Sequence, residues 1–331
     1  MEKEKYYSNQ RRVRSSQHIR ELAASVTLSH RDFIQPLFVD ESIAAPKPIG
    51  SLTEIYSDTI ESVIQQIERD LLKGVSKFLL FPVMVNKKEK DFDFSFVLAV
   101  VTKIKSKFSS SIWLAVDVCL CTHASHGHCG ILDSEKKKVL NNETVEVLAN
   151  YALQLAHANA DCIAPSDMMD GRIRAIRVKL DQHGFDEVAI MSYSAKFSSN
   201  FYGPFRDACH STPNASGLRD RKTYQISSYN PSDAIQSSLR DWEEGADLLM
   251  VKPALVNLDI LSALRQRVHA PLAAYHVSGE YESIELLARQ GLIDRAKAHV
   301  EVWVSLKRAG ADGVISYASR HAQEWISQIE Y

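Results

Sequence analysis

The stretch LLMVKPA, residues 248–254, carries an apolar run into a lysine, and VAIMSYSAK, residues 188–196, ends in one as well. Both runs read as short strands buried on both faces, the mark of a parallel sheet. A lysine is rarely carried inside a protein unless its amine is used. Burial strips water from the ammonium, lowers its pKa and leaves a share of it neutral near pH 7, and a second ammonium nearby lowers it further. A neutral amine attacks ketones and aldehydes to form Schiff bases. Two such amines, Lys196 and Lys252, point to carbonyl chemistry on two carbonyl substrates.

Six further apolar runs accompany these two: FIQPLFV (33–39), KFLLFPV (77–83), IWLAVDVCL (112–120), DCIAPS (161–166), LAAYHVS (272–278) and GVISYA (313–318). Most are separated by amphipathic segments. TIESVIQQIERDLLKG (59–74) stops at Gly74, and MDGRIRAIRVKLDQHG (169–184) stops at Gly184. NETVEVLANYALQLAHANA (142–160) offers Asn142 as its N-cap, and SDAIQSSLRDWEEG (232–245) offers Ser232 or Asp233. Gly-Ala-Asp recurs at 245–247 and 310–312 and marks the turn before two strands. Eight βα units predict an α/β fold, a (β/α)8 TIM barrel. An open doubly wound sheet ranks second, because no G-x-G-x-x-G follows any strand.

Residues 1–30 lie outside the barrel count and read as an extended N-terminal arm, with a helix over SQHIRELAASV (16–26). Such an arm often packs on a neighbouring subunit. Residues 31–331 form the catalytic barrel. Within it, residues 197–231 are rich in Gly, Pro, Ser and Asn and lack periodicity, which reads as a functional lid.

The net charge of −2, spread along the chain, argues against nucleic-acid binding. No apolar run is long enough to span a bilayer, and the N-terminus lacks the apolar core of a signal peptide. The five cysteines read as reduced thiols in a cytoplasm-like compartment, open to metal binding or catalysis.

The reactive residues gather at the carboxyl ends of the strands, where barrel enzymes do their chemistry. These are Asp117, Cys119 and Cys121, then Ser166 and Asp167, Lys196, Lys252, Ser278 and Tyr317. In DVCLCTHASHGHCG (117–130), Cys119, Cys121 and Cys129 can hold Zn²⁺ with a fourth position open. Gly127 and Gly130 let the loop fold back, and His123, His126 and His128 are alternative ligands. Three unrelated thiols are the plainer reading, and the metal ranks ahead of it. Cys162 reads as core packing. For each lysine alone, a snorkelling or solvated side chain is as good an account as catalysis. Equivalent places on adjacent strands make that pair of accidents the weaker reading. Arg206 and Arg221 in the lid suit carboxylates, although lid arginines are often just solvated. Asp117 fits a metal neighbour, a general base, an anchor for a substrate ammonium or a strand-end cap. Tyr317 and Ser278 fit a second carboxylate or ordinary core hydroxyls.

Several strings resemble porphobilinogen synthase, also called 5-aminolevulinate dehydratase. They are MVKPA around Lys252, SYSAKF and FYGPFRDA around Lys196 and Arg206, APSDMMDGR (164–172), DVCLC with SHGHCG (117–130), YHVSGEY (275–281) and RAGADGVISY (308–317). The resemblance runs from about Arg11 to near the C-terminus. It implies a (β/α)8 barrel with an N-terminal arm, assembled as a homo-oligomer, usually an octamer. It also implies a lyase of tetrapyrrole (haem) biosynthesis that condenses two 5-aminolevulinate molecules to porphobilinogen with loss of two waters. On that resemblance Lys252 forms the essential Schiff base and Lys196 the other. Arg206, Arg221 and Gln225 meet one substrate carboxylate, and Ser278 and Tyr317 the other. Asp117 contacts the free amino group, and Cys119, Cys121 and Cys129 match the zinc-using branch.

The chain departs from that pattern in places. Thr122-His123 stands where Pro-Tyr is usual, which leaves open an effect of His123 on the zinc shell. The segment 84–96 is shorter than usual. Arg240 stands where some members use an activating Mg²⁺, with Glu243 and Glu244 nearby. Two other classes are distinguishable. A class I aldolase needs one Schiff-base lysine and no cysteine loop, whereas a non-catalytic zinc scaffold binds metal and forms no imine.

Overall fold

The computed structural model describes residues 10–213 and 217–328. Its centre is a closed barrel of eight parallel strands. In chain order these are β1 (Phe33–Asp40), β2 (Lys77–Val83), β3 (Trp113–Val118), β4 (Cys162–Pro165), β5 (Ala189–Lys196), β6 (Leu248–Lys252), β7 (Leu272–His276) and β8 (Gly313–Ser316). Each pairs with the next, and β8 closes the ring on β1 through Phe33↔Val314 and Ile34↔Ile315. All eight correspond to the apolar runs of the sequence. Every residue of β1 is buried, as expected of a strand covered on both sides.

The strand entrances share one device. Asp161, Asp247 and Asp312 each stand just before or at the foot of a strand. Their Oδ2 atoms accept the backbone N–H of Leu114, Ile190 and Leu272 respectively, each at 2.8 Å. Each carboxylate thus pins the foot of its strand to the preceding one. The Gly-Ala-Asp repeat has this physical meaning at two of the three places.

Helices wrap the barrel, and their ends follow local chemistry. Ile60–Leu72 begins at Thr59, whose hydroxyl accepts from Ser62 N. Its inner face buries Val63, Ile64 and Ile67; burying each such side chain contributes roughly 1.5–3 kcal/mol. Gly74 and Gly184 stand just past their helices, as read from the sequence. Two cap assignments are corrected. The helix Asn141–His157 starts one residue before Asn142, with no side-chain cap. There Asn141 exchanges hydrogen bonds with the Asp170 backbone, and Thr144 Oγ1 donates to Leu140 O at 2.7 Å. The helix Pro231–Glu243 is capped by Asn230, not Ser232 or Asp233, because Pro231 at its first position fixes where the helix begins.

Two short strands went unread, Lys47–Pro48 and Tyr56–Asp58, the latter running parallel beside the end of β1. They are too short for a periodicity signal. In the arm, Gln17–Ala23 is helical with Ser16 as its N-cap, and the helix buries none of its residues; residues 1–9 of the expected arm lie outside the described residues. Among the described residues no helix is long and apolar enough to cross a membrane.

Candidate active site

Lys196 and Lys252 are the last residues of β5 and β6, and they are register partners. That pairing depends on a bulge. Ser192 pairs with Leu249, but the register then slips, so that Ala195 pairs with Val251 and Lys196 with Lys252. If the same residues ran in an unbroken ladder from Ser192, Ala195 would oppose Lys252. Bulges of this kind re-aim side chains beside active sites.

Both amines are buried, Lys252 at 3 % exposure and Lys196 at 5 %. The Lys252 Nζ lies over five aromatic rings: Tyr275 at 4.1 Å, Phe205 at 4.8 Å, Tyr193 at 4.9 Å, Tyr202 at 5.4 Å and Phe81 at 6.0 Å. Loss of water in this apolar box, with the Lys196 charge second, pulls the Lys252 pKa down to about 7. A large share of the amine is therefore neutral and nucleophilic at physiological pH. Lys196 Nζ donates to the Ser166 carbonyl in a short hydrogen bond that ties β5 to the loop after β4.

Asp117, near the end of β3, faces the same space. Burial raises its pKa while both lysines oppose that rise, and its Oδ1 has no hydrogen-bond partner among the described residues. A buried, unpaired carboxylate oxygen is costly unless a ligand meets it.

The cysteine loop follows directly. The sulfurs of Cys119, Cys121 and Cys129 lie within 4.8 Å of one another, all buried. The neighbouring Cys119 and Cys121 thiols pull the Cys129 pKa well below normal. Burial pushes Cys119 the other way. The two glycines work as the sequence suggested. Gly127 has φ +73°, and a Cβ there would meet Thr212 O at 2.8 Å; at Gly130 it would meet Val139 Cγ1 at 2.5 Å. The histidines offered as alternative ligands do not join the sulfur cluster. The His128 ring bridges Tyr224 OH (3.0 Å) and Leu218 O (2.8 Å). His126 Nδ1 accepts from His128 N (3.1 Å). The His123 ring packs edge-on against Phe94 at 4.9 Å and Tyr151 at 5.5 Å.

The lid segment is more ordered than its composition suggested. It holds a 3₁₀ turn (Asn200–Tyr202) and a short helix (Gly203–Ala208), and Phe197 bridges to Ile226. Residues 214–216 of that span lie outside the described residues. Arg221 is buried, and its Nη2 donates to Gly127 O (2.8 Å) and Ser211 O (2.6 Å), joining the cysteine loop to the lid. Arg206 is partly buried, with Nη2 on Ser199 O at 3.2 Å. Its Nε, the Arg221 Nε and both amide atoms of the buried Gln225 lack partners among the described residues. Ser278 opens the helix Ser278–Arg289, accepting from Phe205 N (3.1 Å) and donating to Phe201 O (3.2 Å), so it too touches the lid. The buried Tyr317 hydroxyl lies 3.3 Å from that of Tyr275.

The structure brings Lys196, Lys252, Asp117, Cys121 and Arg221 around one cavity of about 10 Å³, roofed by Tyr202 and Phe205. That is room for about one water. A wider groove of about 880 Å³ around Trp113 and Asp161 sits at the strand entrances, away from these groups, and holds none of this chemistry. Sequence reading missed the aromatic box. Its members sit beside the motif lysines, but nothing in a lone sequence aims five rings at one amine. Arg240, read as standing in a magnesium position, pairs with Asp170 at 2.8 Å.

Comparison with known proteins shows the family. The sequence model described as "Delta-aminolevulinic acid dehydratase" matches residues 7–325. The chain is 38% identical to the delta-aminolevulinic acid dehydratase of Bacillus subtilis over 329 residues, covering 97% of this chain and 99% of that one. It is 42% identical to the Helicobacter pylori protein of the same name, over 95% of this chain and 96% of that one. A crystal structure of the Toxoplasma gondii enzyme in complex with its product porphobilinogen superposes with TM-score 0.91 at 36% identity, covering 96% of this chain and 91% of that one. The chain belongs to the delta-aminolevulinic acid dehydratase family, whose members are also called porphobilinogen synthases.

Proposed function

We propose that this enzyme condenses two molecules of 5-aminolevulinate to porphobilinogen with loss of two waters, and that Lys252 and Lys196 each hold one of them as a Schiff base. The observation that carries this reading is the pair of buried lysines in register on adjacent strands. Two keto acids need two amines. At each lysine the neutral nitrogen adds to the ketone carbon, and the carbonyl oxygen leaves as water with the two amine hydrogens. The resulting imine acidifies the neighbouring C–H and makes its carbon a better electrophile. The carbon beside one imine then loses a proton and bonds to the other imine carbon, and the lysine on that carbon leaves as a free amine as a second proton is lost. The amino group of the substrate so attacked adds to the remaining imine carbon and displaces the other lysine, while the other substrate's amino group stays free.

The remaining residues bind and orient. Arg206, Arg221 and Gln225 take one carboxylate, supported by their unpartnered nitrogens and amide. Ser278 and Tyr317 take the other. Asp117 takes the free amino group, which meets its orphaned Oδ1. The lid over residues 197–231 excludes water that would hydrolyse the imines. The cavity beneath Tyr202 and Phe205 is too small for substrate, so the lid opens for entry.

Three buried sulfurs within 4.8 Å form a soft donor set that fits Zn²⁺, and Cys119, Cys121 and Cys129 would hold it. When bound, the ion supplies Lewis-acid polarisation of substrate oxygen. We also read the chain as a homo-oligomer, an octamer, joined in part by residues 1–30. Support comes from the exposed apolar side chains Val13 and Leu22 on the described part of the arm. Five free thiols support a cytoplasmic location.

The test supplies 5-aminolevulinate to zinc-replete protein and assays pyrrole with an aldehyde colour reagent. Colour that requires both protein and substrate is expected; no pyrrole from folded, metal-loaded protein rejects the proposal.

A further inference from the structure

Tyr193 lies within the β5 bulge, and this gives it an unusual position. In a regular strand, side chains three residues apart point to opposite faces. The register slip between Ser192 and Ala195 removes that alternation, so Tyr193 and Lys196 turn into the same space. The Lys196 Nζ lies over the Tyr193 ring at 5.4 Å from its centroid, and the Lys252 Nζ lies over the same ring at 4.9 Å. The other four rings of the box face Lys252, and none of them is in such contact with Lys196. Tyr193 is fully buried, beside the Asp117 carboxylate.

Two iminium cations in one buried cavity with room for about one water repel each other with little screening. An aromatic face is negative and holds a cation without hydrogen bonds. We infer that Tyr193 is a positioning residue shared by both half-sites, its ring stabilising the cation formed at Lys196 and the cation formed at Lys252. The inference rests on the two-Schiff-base reading above. The step it favours is balanced as amine, ketone and one proton from solvent giving iminium and water. Tyr275, whose ring lies 4.1 Å from Lys252 Nζ, serves that half-site alone.

The test replaces Tyr193 by phenylalanine and then by mono-, di- and trifluorinated phenylalanines, which keep the ring's shape while draining its negative face. Zinc-replete enzyme receives subsaturating 5-aminolevulinate and borohydride at pH 9, where the Lys252 amine is neutral beforehand. Peptide mass spectrometry then reads the label on each lysine. Tyr193→Phe is expected to keep both labels within about twofold. The fluorine series is expected to lower both stepwise, by roughly 10-fold at its end. The same series at Tyr275 is expected to lower the Lys252 label alone. Because every analogue retains a ring, the comparison does not depend on a cavity variant folding. A flat series at 193, or a fall at one lysine only, overturns the inference and leaves the Schiff-base reading standing. A fall with Tyr193→Phe as large as with the trifluorinated ring also overturns it, since the hydroxyl then carries the effect. No label on either lysine of the unsubstituted enzyme overturns both readings.

Discussion

Lys196 and Lys252 stand opposite each other because β5 carries one residue more than β6 between Ser192 and Ala195. The bulge converts two motif lysines into one two-amine site. Inserting one glycine between Ala195 and Lys196 is expected to put the glycine opposite Lys252 and carry Lys196 out of that place. Turnover should fall by at least about 10³-fold, since misplacing a reacting group by an ångström alone costs about 100-fold. Pyrrole formation by the folded insertion variant checks this.

Lys252 is a cost to the fold as well as a catalyst. Its pKa drops from 10.5 to about 7 on folding, chiefly through desolvation. Between those pH values the unfolded chain binds a proton that the folded chain does not, so stability rises with pH across that window. The penalty is complete below pH 7 and gone above about 10.4. Lys252→Met should therefore be inactive yet more stable than the parent at pH 6, by on the order of 1–3 kcal/mol. The difference should shrink toward zero by pH 10. Denaturant titrations at several pH values measure it, and a gap that does not change with pH contradicts the assignment.

The metal reading predicts a specific loss. Cys129→Ser should reduce bound zinc from about one ion per chain to near zero, and activity with it, while far-ultraviolet circular dichroism stays unchanged. Metal content by mass spectrometry and pyrrole formation before and after chelation check this. Full activity after verified metal removal rejects a catalytic role for the three sulfurs.

Arg172 holds the loop after β4 in place from inside. It is fully buried, contacts Asp241 at 2.9 Å and Asp167 at 3.5 Å, and donates to Met169 O at 3.2 Å. Removing it leaves two buried carboxylates uncompensated. Arg172→Ala should lose about 3–5 kcal/mol of stability. Asn230→Ala removes only the cap of the helix Pro231–Glu243 and should lose about 1 kcal/mol. Chemical denaturation of both variants tests the ranking.

How much of this was legible in the sequence depended on the kind of interaction. The barrel strands were readable because a parallel strand buried on both faces is a short apolar run. Lys196, Lys252, Asp117 and the three cysteines were readable because barrel chemistry clusters at strand ends. The bulge was not, since one extra residue in SYSAK leaves no trace in composition. The aromatic box was not, because Phe81, Tyr193, Tyr202, Phe205 and Tyr275 come from separate segments that only the closed barrel joins. The cap at Asn230 lost out in reading to two polar neighbours, and Pro231 decided between them. The direction of the His123 ring was not legible either, because it is set by Phe94 and Tyr151 from other segments.

The central claim is that each of the two amines holds one of two identical substrates. Site-mapped borohydride trapping of isotope-labelled 5-aminolevulinate on zinc-replete enzyme tests it most directly. The account predicts label on both Lys252 and Lys196, with the Lys252 label lost in Lys252→Ala. Label on a single lysine, or on neither, while pyrrole still forms would contradict it.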